Sequence, residues 1–213
     1  MTQTPVASEK DAREVLLKTA RLLFSQKGLD GTSTRDIAKE SGLNISLISY
    51  YFGGKEGLYK ELFMNFGNHI AQVIDQTMAG FQDLEMNEKN FVESVKRIIT
   101  MFVNLHEQNK DMANLMWREK LAGMPYSKDA HDQIFLPIGN KVAEFIAQAQ
   151  RKGIANKKIH PLLYFIVLIE GLMGYLRALE CDTHAKEMCP NTTESREKVI
   201  DQFTAIFTQG ILK

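Results

Sequence analysis

A short stretch, residues 44–50, gathers side chains suited to one kind of chemistry. Asn44, Ser46, Ser49 and Tyr50 carry hydrogen-bonding groups, Leu47 adds a compact apolar one, and none is charged. Such groups match the edges of bases in a major groove, and an apolar side chain matches the thymine methyl. Thr34, Arg35, Tyr51 and Lys55 stand at the flanks, where backbone phosphates would run. Side chains read bases only when something rigid presents them, so the surrounding elements decide whether this chemistry is available.

The local signals give two short helices. Ser33 or Thr34 caps Arg35–Ser41, with Asp36 in the first turn where it suits the helix dipole. Gly42 breaks that helix, a second runs from about Ile45 to Phe52, and Gly53 and Gly54 break the chain again. Two short helices joined by three residues fit the helix-turn-helix pattern. Ala38 is small where the helices cross, and Gly42 can take a positive φ without a side-chain clash. Ile37, Leu43 and Ile48 fill the wedge between them. A preceding helix, Asp11–Lys27, would bury Val15, Leu16, Ala20, Leu23 and Phe24 and end at Gly28.

Apolar positions recur at helical spacing almost throughout the 213 residues, and no period-2 stretch stands out. The pattern predicts an all-α protein of nine helices. A long amphipathic helix, Lys55 to about Ala79, follows the short pair, lined by Leu58, Leu62, Phe63, Phe66, Ile70, Val73 and Ile74. Next come a helix bearing Phe91, Val95, Ile98, Phe102 and Leu105, then Lys110–Gly123, then about Asp129–Lys152, where Pro137 should kink or restart the helix. Pro161 opens an apolar helix to about Leu179 at the first-turn position that proline tolerates. The last helix, about Glu194–Gly210, would turn Val199, Phe203, Ile206 and Phe207 inward. The expected division is residues 1–54 for the helix-turn-helix head and 55–213 for the remainder.

Composition bounds the function. Lys plus Arg and Asp plus Glu are both 26, so the net charge is zero and any polyelectrolyte binding must be local. Residues 1–60 hold nine basic and seven acidic side chains, a slight excess. The N-terminus is polar and charged and reads as no signal peptide. The apolar run Leu162–Leu176, interrupted by Glu170, is short for a membrane span and reads as a buried helix. Cys181 and Cys189 read as reduced thiols of a cytoplasmic protein, with a redox switch left open. His106, His131 and His160 lack metal-ligand spacing, so neither metal nor cofactor is expected. No nucleophile-elbow, phosphate-loop or dinucleotide motif is present, which argues against an enzyme. A helical interaction protein without DNA binding is the remaining rival.

The run Thr34–Phe52, followed by Gly53-Gly-Lys55-Glu56-Gly-Leu58-Tyr59 and Leu62-Phe63, resembles the DNA-binding domain of the TetR family. The matching features are a Thr-x-x-x-Ile-Ala helix, a Gly-hydrophobic turn, an aromatic pair ending in Phe, and a Lys-Glu-x-Leu start to the next helix. The resemblance implies that Lys55 touches a phosphate and that Thr34, Tyr50 and Tyr51 clamp the DNA backbone or pack on it. It also implies that Asn44, Ile45, Ser46 and Leu47 face the bases. Ile45 and Leu47 depart from the family, which often has glycine or a polar residue there.

The same resemblance implies a homodimer formed through the last two helices, a palindromic double-stranded operator and a small-molecule inducer bound by the C-terminal domain. Met116–Lys120, Ile134–Ile138 and Phe145-Ile146 also resemble a C-terminal domain found in one subgroup of these repressors. Pro161–Leu179 is apolar on more than one side, so one face could pack internally and another across the dimer. Candidate pocket residues among the middle helices are Phe102, His106, Met116, Trp117, Phe135, Tyr164 and Glu170, an adaptable apolar set. Glu170 could pair with Arg177 or Arg118, or bind a cationic ligand.

Overall fold

The computed structural model describes residues 9–81, 84–180 and 196–212. Cys181 and Cys189, and the polar segment holding Pro190, lie outside them. The described residues form nine helical segments. These are α1 (Glu9–Lys27), α2 (Thr34–Ser41), α3 (Ser46–Phe52), α4 (Lys55–Ala79), α5 (Glu88–Gln108), α6 (Lys110–Leu121), α7 (Lys128–Ala130 continuing through His131–Phe135 to Leu136–Arg151), α8 (Pro161–Glu180) and α9 (Arg196–Gln209).

The interior of α7 carries the mark of Pro137. Proline has no N–H to give to the carbonyl four residues earlier, and the chain meets this with one wide π-helical turn, His131–Phe135, before an ordinary helix resumes at Leu136. The expected restart is therefore present, as a π turn.

The helices group into two compact units. The first joins residues up to His69 with Asn109–Ile134, and the second joins Ile70–Gln108 with Phe135 onward. The boundary expected after Gly54 thus falls within the first unit.

In the first unit α1 buries Ala12, Leu16, Ala20, Leu23 and Phe24. Val15, expected on that face, is 41% exposed. It lies about 100° around the helix from Leu16 and falls off the buried stripe. The start of α4 adds Leu58, Tyr59, Leu62 and Phe63 to the same core. α6 is fastened to α1 by a forked ion pair. Arg21 Nε and Nη2 donate to the two Asp111 carboxylate oxygens at 2.5 and 2.6 Å, and Nη2 also reaches Asn109 Oδ1 at 3.1 Å. Farther along α4, Gly67 leaves room for Ile134: a Cβ there would lie 3.1 Å from Ile134 Cδ1.

In the second unit α5 buries Phe91, Val95, Ile98, Phe102 and Leu105, as its spacing predicts. Phe91 stacks on Phe145 with ring centroids 5.8 Å apart. α7 and α8 cross closely at Gly139, where a Cβ would come within 3.2 Å of Phe165. α9 turns Val199, Ile200, Thr204 and Thr208 inward. Both threonine hydroxyls donate to carbonyls four residues back at 2.7 Å, so their burial leaves no unmet donor.

Two expectations about the last helices change. Ile206 points outward, 63% exposed, although its spacing predicts an inward position. Pro161–Glu180 is long and apolar enough, by length and composition, to cross a membrane, yet it is not buried on all sides. Leu168, Leu172 and Leu176 face the unit's core, while Leu163, Ile166 and Val167 face outward at 46–56% exposure.

Candidate nucleic-acid interface

The presenting scaffold is built by caps and turns. Ser33 is the N-cap of α2. Its Oγ accepts from Asp36 N at 3.1 Å, and Asp36 Oδ2 accepts from Ser33 N at 2.9 Å, a reciprocal capping box. Hydrogen bonds from the Ser33 hydroxyl and N–H hold the Asp36 carboxyl below its usual range. The turn after α2 requires φ +69° at Gly42, and α3 ends at Gly53 with φ +71°. Ile37 and Ile48 are fully buried between the helices, and Leu43 is half-buried.

Asn44 organises the entry to α3. Its Oδ1 accepts from Ser46 N and from Ser46 Oγ, both at 2.9 Å. The turn then presents Asn44, Ile45, Ser46, Ser49 and Tyr50 to solvent, with Leu47 and Tyr51 half-buried. Tyr50 is 72% exposed and meets Tyr51 edge to face at 5.0 Å. Tyr51 in turn lies 6.1 Å from Phe52.

The flanking cations differ in what they do. Arg35 is exposed and forms no ion pair among the described residues. Thr34 opens α2 and is half-buried. Lys55 donates from Nζ to Leu29 O at 2.9 Å, tying the start of α4 to the loop after α1. An ammonium has three N–H bonds, so this contact leaves capacity for a phosphate. Arg13 and Arg21 are structural. Arg13 pairs with Glu61 at 2.6 Å while its guanidinium sits 5.2 Å from the Phe52 ring centroid, bracing the end of α3.

A buried carboxylate completes the support. Glu119 is 4% exposed, and its Oε2 accepts from Tyr126 N at 2.9 Å and Ser127 N at 3.0 Å. Tyr59, one turn into α4, hydrogen-bonds to the same carboxylate. Burial pushes the Tyr59 phenol up, and the charge of Glu119 adds to this, so the phenol stays a donor. The tyrosine ring meets Phe24, Phe63 and Tyr126 edge-on at 5.0, 4.9 and 5.7 Å. Sequence reasoning missed Arg13, Arg21 and Glu119 as supports because their partners lie 48 to 90 residues away for the arginines and 60 for Glu119–Tyr59. For Glu119 the local hint is a charged residue that follows Met112, Leu115 and Met116 at helical spacing.

The candidate ligand-lining residues are divided between the units. Phe102, His106 and Tyr164 are buried and Phe135 is half-buried in the second unit. Met116 and Trp117 are half-buried in the first. Glu170 is exposed on the outward side of α8, beside Val167. Phe102 lies 6.2 Å from Phe165, and Tyr164 donates its hydroxyl to Phe207 O at 2.8 Å. His106 Nε2 lies 3.2 Å from Glu180 Oε1, and its buried Nδ1 has no partner among the described residues.

Among the described residues the helices form a capped helix-turn-helix head with an uncharged presenting face, the arrangement of a DNA-binding domain. Residues 16–62 match the model of the family described as bacterial regulatory proteins, tetR family. Over 107 residues, half of this chain, it is 26% identical to a Bacillus subtilis protein named "Probable HTH-type transcriptional regulator YttP". Over 144 residues, 65% of this chain, it is 25% identical to the HTH-type transcriptional dual regulator CecR of Shigella flexneri. The matches span 49% and 64% of those relatives' own lengths. The fold is similar to the ketosteroid transcriptional regulator KstR2 of Mycobacterium tuberculosis, with TM-score 0.68, 19% identity, and coverage of 94% of this chain and 95% of that one. It is similar also to the fatty acid degradation regulator FadR of Bacillus halodurans, with TM-score 0.69, 13% identity, and coverage of 99% and 98%. Residues 16–62 therefore carry the N-terminal domain of the tetR family, and the fold of the described residues is that of solved regulators of this kind.

Proposed function

We propose that the chain is a ligand-responsive repressor that binds a palindromic operator as a homodimer. The carrying observation is the exposed, uncharged outer face of α3 held between two left-handed glycines. The bases would be met by Asn44, Ile45, Ser46 and Leu47, and the phosphates by Thr34, Arg35, Tyr50, Tyr51 and Lys55. Leu163, Ile166, Val167 and Ile206 supply the exposed apolar surface for a twofold four-helix interface through α8 and α9. Gly171 and Gly174 lie on the same helix, and an added Cβ at Gly174 would meet nothing within 4 Å. Glu170 belongs with that face. Two heads on a twofold axis call for half-sites about one helical turn apart.

Phe102, His106, Phe135 and Tyr164 are the proposed inducer contacts in the second unit, with His106 Nδ1, which has no partner among the described residues, as the polar anchor. Met116 and Trp117 would respond through the first unit. Inducer binding would shift the population of dimer forms, with α4 as the lever because it is one continuous helix beginning beside α3 and ending at Ala79. The protein would act in the cytoplasm, where its operator is. Operator binding is tested by fluorescence anisotropy with a duplex selected from a random library. Lys55→Ala and Tyr51→Ala should each weaken binding by about 1–3 kcal/mol. Unchanged affinity in both would overturn the assignment of this face.

A further inference from the structure

The hydrogen bonds at the entry to α3 restrict which bases its side chains can recognise. A backbone N–H can only donate, so the Asn44 atom facing Ser46 N is the oxygen, and Ser46 Oγ donates to that same oxygen. The Asn44 carbonyl therefore accepts twice within the protein, leaving only its NH₂ donors outward. Adenine in the major groove presents an acceptor and a donor, and a bidentate asparagine needs both its groups to match them. Guanine presents two acceptors, N7 and O6, which suit a donor alone. Ile45, between these residues, is 42% exposed and carries no polar side-chain atom. An apolar side chain at base level distinguishes thymine through its 5-methyl group.

We infer that this segment specifies guanine through the Asn44 amide and thymine through Ile45, and that Asn44 does not read adenine. The inference rests on α3 being the base-reading helix and names which base edges that helix takes.

The test uses the full-length protein and a random duplex library under fixed salt. Selected half-sites should contain an invariant thymine and an invariant guanine. Replacing that thymine by deoxyuridine removes one methyl and should weaken wild-type binding about fourfold per half-site. The Ile45→Ala variant should bind the thymine and uracil duplexes equally. Asn44→Asp keeps an oxygen to cap Ser46 but loses the donors, so it should no longer discriminate guanine from 7-deazaguanine, which the wild type should. An indifferent wild-type response to deoxyuridine, a uracil penalty that persists in Ile45→Ala, or an adenine requirement abolished by Asn44→Asp would overturn the inference. Salt-sensitive duplex binding with no enriched half-site would also overturn it while leaving the DNA-binding reading intact. Absence of duplex binding by the wild type would refute both.

Discussion

Cations in the head divide into those held in ion pairs within the fold, such as Arg13 and Arg21, and those with no ion pair among the described residues, such as Arg35 and Lys55, and salt separates the two. Arg35 and Lys55 are the charged members of the candidate phosphate contacts, two per head and four in the proposed dimer. Four neutralised phosphates give a slope of log K against log salt of about −3.6, so affinity should fall about 10²-fold between 50 and 200 mM salt. Phosphate contact is independent of sequence, so an arbitrary duplex followed by fluorescence anisotropy is sufficient. Arg35→Ala removes two of the four contacts and should bring the slope to about −1.8. Arg21→Met removes the same formal charge from the same unit, but its guanidinium is committed to Asp111 and Asn109. That variant should keep the wild-type slope and lose about 1–2 kcal/mol of stability, read from the unfolding midpoint. An unchanged slope in Arg35→Ala, or a slope lowered in Arg21→Met to that of Arg35→Ala, would refute the division.

Val167→Glu places a charge in the outward apolar face of α8 and should convert a dimer to monomer in light scattering, with the helical circular dichroism unchanged. Gly42→Ala meets no neighbouring atom, so its cost is the left-handed backbone alone, about 1–2 kcal/mol by thermal unfolding. Burial pushes the Asp111 carboxyl up, but the Arg21 and Met112 hydrogen bonds and the Arg21 charge outweigh it and hold the group below its usual range. The unfolded chain then takes up this proton first, so the contribution is complete above about pH 4 and fades as pH falls through the lower folded value. Asp111→Asn should flatten that acid limb in urea titrations at pH 2–5.

The head was legible because what shapes it is local. The capping box spans four residues, the glycine turns sit beside the helices they end, and Ile37 and Ile48 stand at helical spacing from their neighbours. Periodicity failed where burial has more than one meaning. It placed Ile206 inward because an apolar residue on a stripe gives the same signal whether its neighbour belongs to the same chain or to another. Val15 was a one-residue error in stripe phase. Lys55 was marked by its motif, but its bond to the Leu29 carbonyl depends on how the loop after α1 returns. Asp111 and Glu119 could not be assigned partners because helical patterning carries no information about side chains 60 to 90 residues away. The division of the lining candidates has the same origin, since Met116 and Trp117 follow α5 in sequence but group with the head.

That grouping constrains how such a protein can diverge. Because Asn109–Ile134 shares a compact unit with the residues up to His69, the unit that holds the helix-turn-helix is discontinuous in sequence. A crossover after Gly54 would pair one parent's Arg21 with another's residue at 111, and would leave the first three helices dependent on a foreign Tyr59, Phe63 and Glu119. Exchange of the remaining helices between related chains would then be productive only where the incoming chain restores those contacts. Point substitution in the second unit leaves every one of them in place.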